Sequence, residues 1–261
     1  MNIVVCLKQV PGTTEVKIDP QTNTLVRQGI ESIINPFDTY ALEEGVRIKE
    51  KHGGKVTVIT MGPPQAETAL REAISLGADE AILLSDRAFA GADTWATAFT
   101  LTQAILKLGS TDLVICGRQT IDGDTGQVGP ELAEMLGIPF IAYVSQVEEI
   151  KDGKLRVRRL TEEGHEVIES SLPSVITVSK EINVPRLPSL RGITRSRSAK
   201  ITMWGAAELG VDPARVGLSG SSTQVIKVFF PQRVCQAEIL TGSPERQAEQ
   251  LIDKLKGASL I

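Results

Sequence analysis

The sequence predicts an α/β protein built on a doubly wound, mostly parallel sheet with peripheral hairpins and an extended C-terminal arm. Short apolar runs rich in β-branched residues recur at residues 3–7, 56–60, 81–84 and 113–116, which is typical of strands buried on both faces. Stretches with helical periodicity separate these runs. Strands that alternate with helices form parallel sheets, so helices should cover both faces of this one.

Two helices are indicated by apolar side chains at helical spacing, within residues 41–48 and 66–74. Gly77 and Gly109 lie where predicted helices should end, and glycine is favoured just past the last turn of a helix. The helix boundaries therefore agree with the periodicity.

Two hairpins are predicted at the periphery, joining residues 16–19 to 24–26 and residues 146–150 to 155–160. From residue 183 the chain is rich in proline, serine and arginine and has little periodicity. We therefore predict a nucleotide-binding domain of residues 1–182 and an arm of residues 183–261. The arm ends in an amphipathic helix at residues 244–256, and a small apolar helix on a long tether is best explained by a partner surface.

Composition excludes several classes of function. The formal net charge is −4, so the whole chain lacks the positive field that nucleic-acid binding needs. A local basic cluster does occur, at Arg186, Arg191, Arg195, Arg197 and Lys200. The two histidines have no second ligand at metal-binding spacing, which argues against a histidine metal site.

The three cysteines are far apart and form no C-x-x-C pair, which indicates a reducing compartment and no structural zinc. Cys6 and Cys116 each close an apolar run and are expected to be buried hydrophobes. The first residues lack a signal peptide's basic leader, and no run of eighteen apolar residues exists. We therefore expect a cytoplasmic protein, or one of a comparable soluble interior, without direct membrane insertion.

Ligands of open parallel sheets bind beyond the carboxyl ends of the strands. The first strand is followed by Lys8, and the first hairpin by Asn35-Pro36-Phe37-Asp38. Asp38 is expected to cap the next helix while its neighbours line a pocket, although this segment could be only a helix entry. Met61-Gly62 follows the second strand, where glycine would let the backbone approach a ligand closely.

Two later loops have the residues that phosphate binding needs. Asp93, Thr94 and Thr97 lie at the start of a predicted helix, where N–H groups and hydroxyls could hold a phosphate, and ordinary N-capping explains only Asp93. Residues 117–130 contain four glycines and two aspartates just before another helix, giving N–H donors for phosphate and polar groups for a ribose. This loop matches neither G-x-G-x-x-G nor Walker A, and a plain glycine loop is the alternative.

Four segments together resemble the electron-transfer flavoprotein β subunit. They are Cys6-Leu7-Lys8-Gln9-Val10-Pro11, Asn35-Pro36-Phe37-Asp38, residues 117–130, and residues 172–178 leading to Asn183-Val184-Pro185-Arg186. The resemblance covers residues 1 to about 200 and is weaker towards the C-terminus. It implies an α/β domain paired with a homologous half of an α subunit that carries the redox-active FAD. It also implies a pocket for structural AMP or a second FAD, formed by Cys6, Asn35, Phe37, Asp38, Met61, Gly117, Arg118, Gln119, Thr120, Ile121, Asp122, Gly123, Asp124, Thr125, Gly126, Gln127 and Val128.

The loop with Asp93, Thr94 and Thr97 resembles the branch whose β subunit binds FAD, several members of which bifurcate electrons from NADH. Residues 188–191 resemble the family's recognition loop, which implies that Leu190, beside Arg191, anchors an acyl-CoA dehydrogenase or another flavin dehydrogenase. The chain then departs from the family, because residues 195–200 replace a lysine run. The alternative is that these arginines only solvate an exposed arm.

Two other classes of protein share the general architecture. An ATP-using enzyme of the adenine-nucleotide hydrolase type needs a serine- and glycine-rich loop after the first strand, but residues 8–14 have one glycine and a rigid proline. A stress-type nucleotide-binding regulator without redox function is the second alternative. The long C-terminal arm argues against such a compact, self-pairing module.

Overall fold

The computed structural model describes residues 1–12, 17–19, 24–26, 32–226 and 237–261. These residues divide into two compact units, a main unit of Met1–Ile226 and a C-terminal unit of Lys227–Ile261. Among the described residues, no helix has both the length and the apolar character required to cross a membrane.

In the described part of the main unit, most strands belong to one nine-stranded sheet. In chain order the strands are β1 Asn2–Cys6, β2 Gln9–Pro11, β3 Lys17–Asp19, β4 Thr24–Val26, β5 Ser32–Ile34, β6 Lys55–Met61, β7 Glu80–Leu84, β8 Leu113–Gly117, β9 Phe140–Lys151, β10 Lys154–Thr161, β11 Gly164–Ser171, β12 Ser174–Val178 and β13 Thr202–Trp204. The large sheet has the order β11-β10-β9-β12-β8-β1-β6-β7-β13, while β2 pairs with β5 and β3 with β4.

The neighbouring strands β9-β12-β8-β1-β6-β7-β13 run parallel to one another. Strands β10 and β11 extend the sheet beyond β9 as an antiparallel meander. The predicted mostly parallel sheet is therefore confirmed, as are all four predicted strands. The second predicted hairpin is also present as β9 and β10, and it continues the main sheet. The first is present as β3 and β4, whose side chains lie outside the described residues.

Helices cover both faces of the sheet. Those of the main unit are α1 Pro36–His52, α2 Glu67–Leu76, α3 Thr94–Leu108, α4 Val128–Leu136, α5 Leu190–Ser198 and α6 Ala206–Leu209, and the C-terminal unit contains α7 Pro244–Gly257. Successive side chains of a strand point to opposite faces, and β1 shows the result. Ile3 and Val5 pack with α1 and α2 in one core, here called the upper core. Val4 and Cys6 pack with α3 and α4 in the other, the lower core.

Residues 183–226 belong to the main unit, whereas the sequence predicted that the arm begins at residue 183. Strand β13 pairs with the edge strand β7, and α5 packs on α2. Asn183 Nδ2 donates hydrogen bonds to Tyr40 O and Glu44 Oε2, both at 3.0 Å. Such contacts join residues far apart in the sequence, so local periodicity gives no sign of them.

The C-terminal unit contains α7, which confirms the predicted terminal helix. Its N-cap is Ser243, whose hydroxyl accepts a hydrogen bond from Arg246 N. Leu251 and Ile252 of this helix are nearly half exposed. The helix therefore presents an apolar face that the described residues of its own unit, 237–261, leave partly exposed.

Candidate functional site

The strand order reverses between β1 and β8. The chain proceeds from β1 through β6 to β7 on one side and returns to β8 on the other side of β1. In open parallel sheets this topological switch point opens a crevice at the carboxyl ends of the two strands. Cys6 and Cys116 occupy those ends, and Gly117 closes β8. The loops singled out in the sequence after β1, β5 and β8 meet at this crevice.

Lys8 connects three of the loops. Its N–H donates to Asp38 Oδ2 at 2.7 Å, and its carbonyl accepts from Asn35 N at 2.8 Å. Its ammonium group contacts both carboxylate oxygens of Asp122, at 2.9 and 2.8 Å. Lys8 belongs to the family motif but was not predicted as a site residue, although its position two residues past β1 was the available signal.

Asp38 does not cap α1 as expected. The helix begins at Pro36 with Asn35 as N-cap, since proline is favoured at the first helical position and starts the helix earlier. The Asp38 carboxylate accepts instead from the loop after β1. Burial raises its pKa to about 7, although hydrogen bonds from Asn35 and from Lys8 and Gly117 N–H groups favour the ionised form. Near neutral pH this carboxyl is therefore partly protonated.

Asn35 attaches the glycine-rich loop to the start of α1. Its side chain is fully buried, its Nδ2 donates to Gln119 O at 2.9 Å, and its Oδ1 accepts from Ile121 N at 3.1 Å. Both the donor and the acceptor of the side-chain amide are thus hydrogen-bonded to main-chain groups of the glycine-rich loop. Asn35 shapes the pocket by positioning the loop.

Gly117 is required for the close contact between β8 and α1. A Cβ atom at this position would lie 2.3 Å from Asp38 Oδ1 and 2.7 Å from the Phe37 carbonyl carbon. Real Cβ atoms do not approach backbone this closely, so any side chain would push the two elements apart. Gly117 therefore holds Phe37 and Asp38 beside the end of β8.

An arginine between two aromatic rings lies beside this contact. The Arg118 guanidinium is 5.3 Å from the centre of the Phe37 ring and 5.6 Å from that of Tyr143, within the range of cation–π attraction. Tyr143 has a φ of +58° at a register shift between β9 and β12, and its N–H donates to Thr177 Oγ1 at 3.2 Å. The sequence did not indicate Tyr143, because the alternation of apolar and polar residues along a strand does not reveal where a bulge occurs.

The glycine-rich loop is fixed at its start and exposed in the middle. Arg118 N donates to Val178 O, and Asp124 N to Thr120 O. A hydrogen bond also joins Gln119 Nε2 to Asp124 Oδ1. The exposed residues are Ile121, Asp122, Gly123, Asp124, Thr125 and Gln127. Their main-chain N–H groups precede the N-terminus of α4, an arrangement that binds phosphate.

Asp93 begins α3, as predicted, but its carboxylate is occupied. It accepts from Ala96 N at 3.0 Å, from Ser222 N at 2.7 Å and from Thr223 N at 2.9 Å. These hydrogen bonds lower its pKa, despite the opposing effect of burial. Asp93 therefore caps α3 and ties residues 222–223 to it.

Thr94 connects the starts of α3 and α4. Its hydroxyl donates to Glu131 Oε1 at 3.0 Å, while Glu131 Oε2 is buried without a hydrogen-bond partner among the described residues. Burial raises the pKa of Glu131. Thr97 lies half-buried in the first turn of α3 and donates its N–H to Asp93 O. The sequence analysis did not single out Glu131, although the sequence shows this acidic residue just after the glycine-rich loop, where the first turn of the next helix was expected.

Three predicted residues lie away from these contacts. Met61 ends β6 and packs, partly buried, against the lower core. Leu190 and Arg191 begin α5, where Ser189 Oγ accepts from Gly192 N at 3.0 Å. Arg191 borders a groove of about 370 Å³ lined also by Lys49, Gly77 and Arg195, at the C-terminal ends of α1 and α2. Those helix ends lie at the amino edge of the sheet, so the groove and the crevice occupy opposite edges.

Comparisons with known proteins agree on one family. A model described as the electron transfer flavoprotein domain matches residues 22–209. The electron transfer flavoprotein subunit beta of Thermoanaerobacterium thermosaccharolyticum is 53% identical over the full length of both chains. Subunit CarD of the caffeyl-CoA reductase-Etf complex of Acetobacterium woodii is 49% identical, again over both full lengths. The protein FixA of Azotobacter vinelandii is 44% identical, with 98% of this chain and 94% of FixA covered.

Proposed function

The chain belongs to the electron transfer flavoprotein family as a β subunit, an electron carrier that acts within a heterodimer, and from this premise we propose that its crevice binds FAD rather than AMP. AMP carries one phosphate, which one helix start or glycine loop can satisfy. FAD carries a pyrophosphate and an isoalloxazine ring system, so it needs a second set of donors and a wider crevice.

The observation that carries the proposal is the hydrogen bond from Thr94 to Glu131, 3.0 Å long. It places the N-terminus of α3 beside that of α4, which follows the glycine-rich loop. Two sets of N–H donors are thereby adjacent, and the partial positive charges of two helix dipoles favour an anionic group between them. This pair of donor sets suits a pyrophosphate.

The residues around the donors have separable roles in the proposal. Main-chain N–H groups at the start of α3 and in the loop of residues 117–128 hold the phosphates. Asp93 contributes indirectly, because its carboxylate is already bonded to Ala96, Ser222 and Thr223 and would repel a phosphate. Glu131 offers a carboxyl oxygen with no hydrogen-bond partner among the described residues. When FAD is bound it supplies the redox chemistry, and this chain holds and orients it.

The proposal extends to the electron donor and the protein partners. The partners are the family's α subunit and a flavin dehydrogenase such as an acyl-CoA dehydrogenase, with NADH as a possible electron donor if the β flavin bifurcates electrons. A relative named as part of a caffeyl-CoA reductase-Etf complex supports a CoA-linked partner. The exposed Leu190 at the start of α5 supports an apolar anchor for it.

The test is to release the nucleotides from the purified αβ heterodimer, separate them by chromatography and identify them by mass. We expect two FAD per heterodimer. Thr94→Leu should lower the count towards one, because it removes the bond to Glu131 and obstructs the crevice. Thr94→Ser keeps the hydroxyl and should keep two. One FAD and one AMP in the native complex would return the chain to the AMP-binding branch.

A further inference from the structure

The carboxyl ends of the two central strands carry a pair of cysteines whose thiol chemistry the proposed function does not use. Cys6, the last residue of β1, pairs in parallel register with Cys116 of β8. The side chains of both belong to the lower core, so they emerge from the same face of the sheet. Cys6 is 7% exposed and Cys116 is 6% exposed, so neither is completely sealed from the crevice.

The positions suit a covalent bond between the two sulfur atoms. Neighbouring strands lie about 4.8 Å apart, and disulfides join residues whose Cα atoms are about 4.4–6.8 Å apart. Cys6 and Cys116 are register partners on the two parallel strands, and both carry free thiols. We propose that Cys6 and Cys116 form a peroxide-sensitive dithiol, which closes to an intramolecular disulfide at the switch point of the sheet.

The reaction needs one hydrogen peroxide molecule for each disulfide. A thiolate of the pair attacks one peroxide oxygen, the O–O bond breaks, hydroxide leaves and a sulfenic acid forms. The second sulfur then displaces the sulfenic hydroxyl, which takes up a proton and departs as water while the S–S bond forms. In total the two thiols lose two hydrogen atoms, and the peroxide is reduced to two waters.

The surroundings of the two thiols admit a small oxidant more readily than a large one, and they make the reaction slow. The hydrogen bond with Cys6, burial and the negative charge of Asp38 all raise the pKa of the Cys116 thiol, so it resists nonspecific modification near neutral pH. Low exposure also hinders bulky disulfides more than it hinders peroxide. The bond would cross-link the strand ends from which the loops with Lys8 and Gly117 emerge. The proposal is independent of which nucleotide the crevice binds.

The test treats the reduced αβ heterodimer with hydrogen peroxide, quenches, denatures and alkylates it, and maps its tryptic peptides by mass spectrometry. Trypsin should release Cys6 in residues 1–8 and Cys116 in residues 108–118. We expect these two peptides joined by a bond that a reductant cleaves. The alkylation count of this chain should fall by two of its three thiols.

Variants separate the pair from the third cysteine. Cys235→Ser should retain the cross-link, and Cys6→Ser and Cys116→Ser should each abolish it. The mapping on the native heterodimer decides the question even if a serine variant fails to fold. A cross-link through Cys235, oxidation of either cysteine to a sulfinic acid without a cross-link, or an unchanged thiol count would each overturn the proposal.

Discussion

At the residue scale, the site depends on side chains whose partners are distant in the sequence. Asn35 bonds to the main chain at Gln119 and Ile121, and Asp38 to that of Lys8. The sequence identified both residues as part of a pocket by resemblance, but it gave Asp38 a capping role. The local pattern located the helix but placed its start too late, because the helix begins at Pro36 with Asn35 as N-cap. The pattern also gives no sign of a hydrogen bond between residues that only the folded sheet brings together.

The raised pKa of Asp38 gives a pH-dependent stability. The folded carboxyl has a pKa of about 7 against an ordinary value of 3.8, so between these values the unfolded chain ionises while the folded chain keeps its proton. The free energy of unfolding should therefore fall as pH rises through this window and level off above about pH 7. The Asp38 contribution to the total loss is on the order of 4 kcal/mol.

Asp38→Asn should flatten this dependence in urea unfolding of the heterodimer followed between pH 4 and 8. Asp152→Asn, on an exposed position in the turn between β9 and β10, is the matched control and should leave the wild-type slope unchanged. Equal slopes for wild type and Asp38→Asn would show that the buried carboxyl does not titrate in this range.

At the element scale, periodic segments were predicted well and irregular ones were not. The strands β1, β6, β7 and β8 and the helices α1, α2 and α7 all follow clear apolar patterns, and each was located. Helix α5 was not, because its buried contacts are polar. Arg195 donates to Ile74 O at 2.8 Å and to Ala78 O, and Arg71 donates to Ser196 O at 2.6 Å. Hydrogen bonds to main-chain carbonyls leave no hydrophobic pattern in the sequence.

The start of α5 is expected to contact the dehydrogenase. Leu190 is 86% exposed, and exposed apolar side chains that become buried carry much of the energy of an interface. Leu190→Ala should slow electron transfer from an acyl-CoA dehydrogenase, with a loss of about 1–2 kcal/mol in association, while the nucleotide content stays the same. Stopped-flow reduction of the heterodimer measures the rate.

Leu187→Ala provides the comparison, because Leu187 is 88% exposed on the same segment. It should change the rate less than Leu190→Ala does. Identical rates for wild type and Leu190→Ala would remove this residue from the contact.

At the scale of the whole molecule, the two compact units differ in self-sufficiency. The main unit has a core on each face of its sheet, whereas α7 leaves Leu251 and Ile252 nearly half exposed. We expect the α subunit to cover this apolar face, so the heterodimer should be stable and the isolated chain prone to association.

Leu251→Asp should therefore weaken binding to the α subunit by at least about tenfold, since burying a charge without a partner is costly. Gln250→Asp places the same charge on the neighbouring position and should have a smaller effect. Analytical ultracentrifugation over a concentration series compares the two dissociation constants. A well-behaved monomer of the isolated chain, or equal constants for the two variants, would argue against this role of α7.

The strand order has a consequence for synthesis on the ribosome. Strand β1 emerges first, yet it lies in the middle of the sheet and needs β8 as its second neighbour. At about 5–20 residues per second, roughly 5–20 s separate the translation of these two strands. During that interval one edge of the buried strand β1 has no partner in the nascent chain. Until β8 pairs with β1, the nascent chain is therefore exposed to aggregation. A chaperone that binds extended apolar segments would protect the chain during this time.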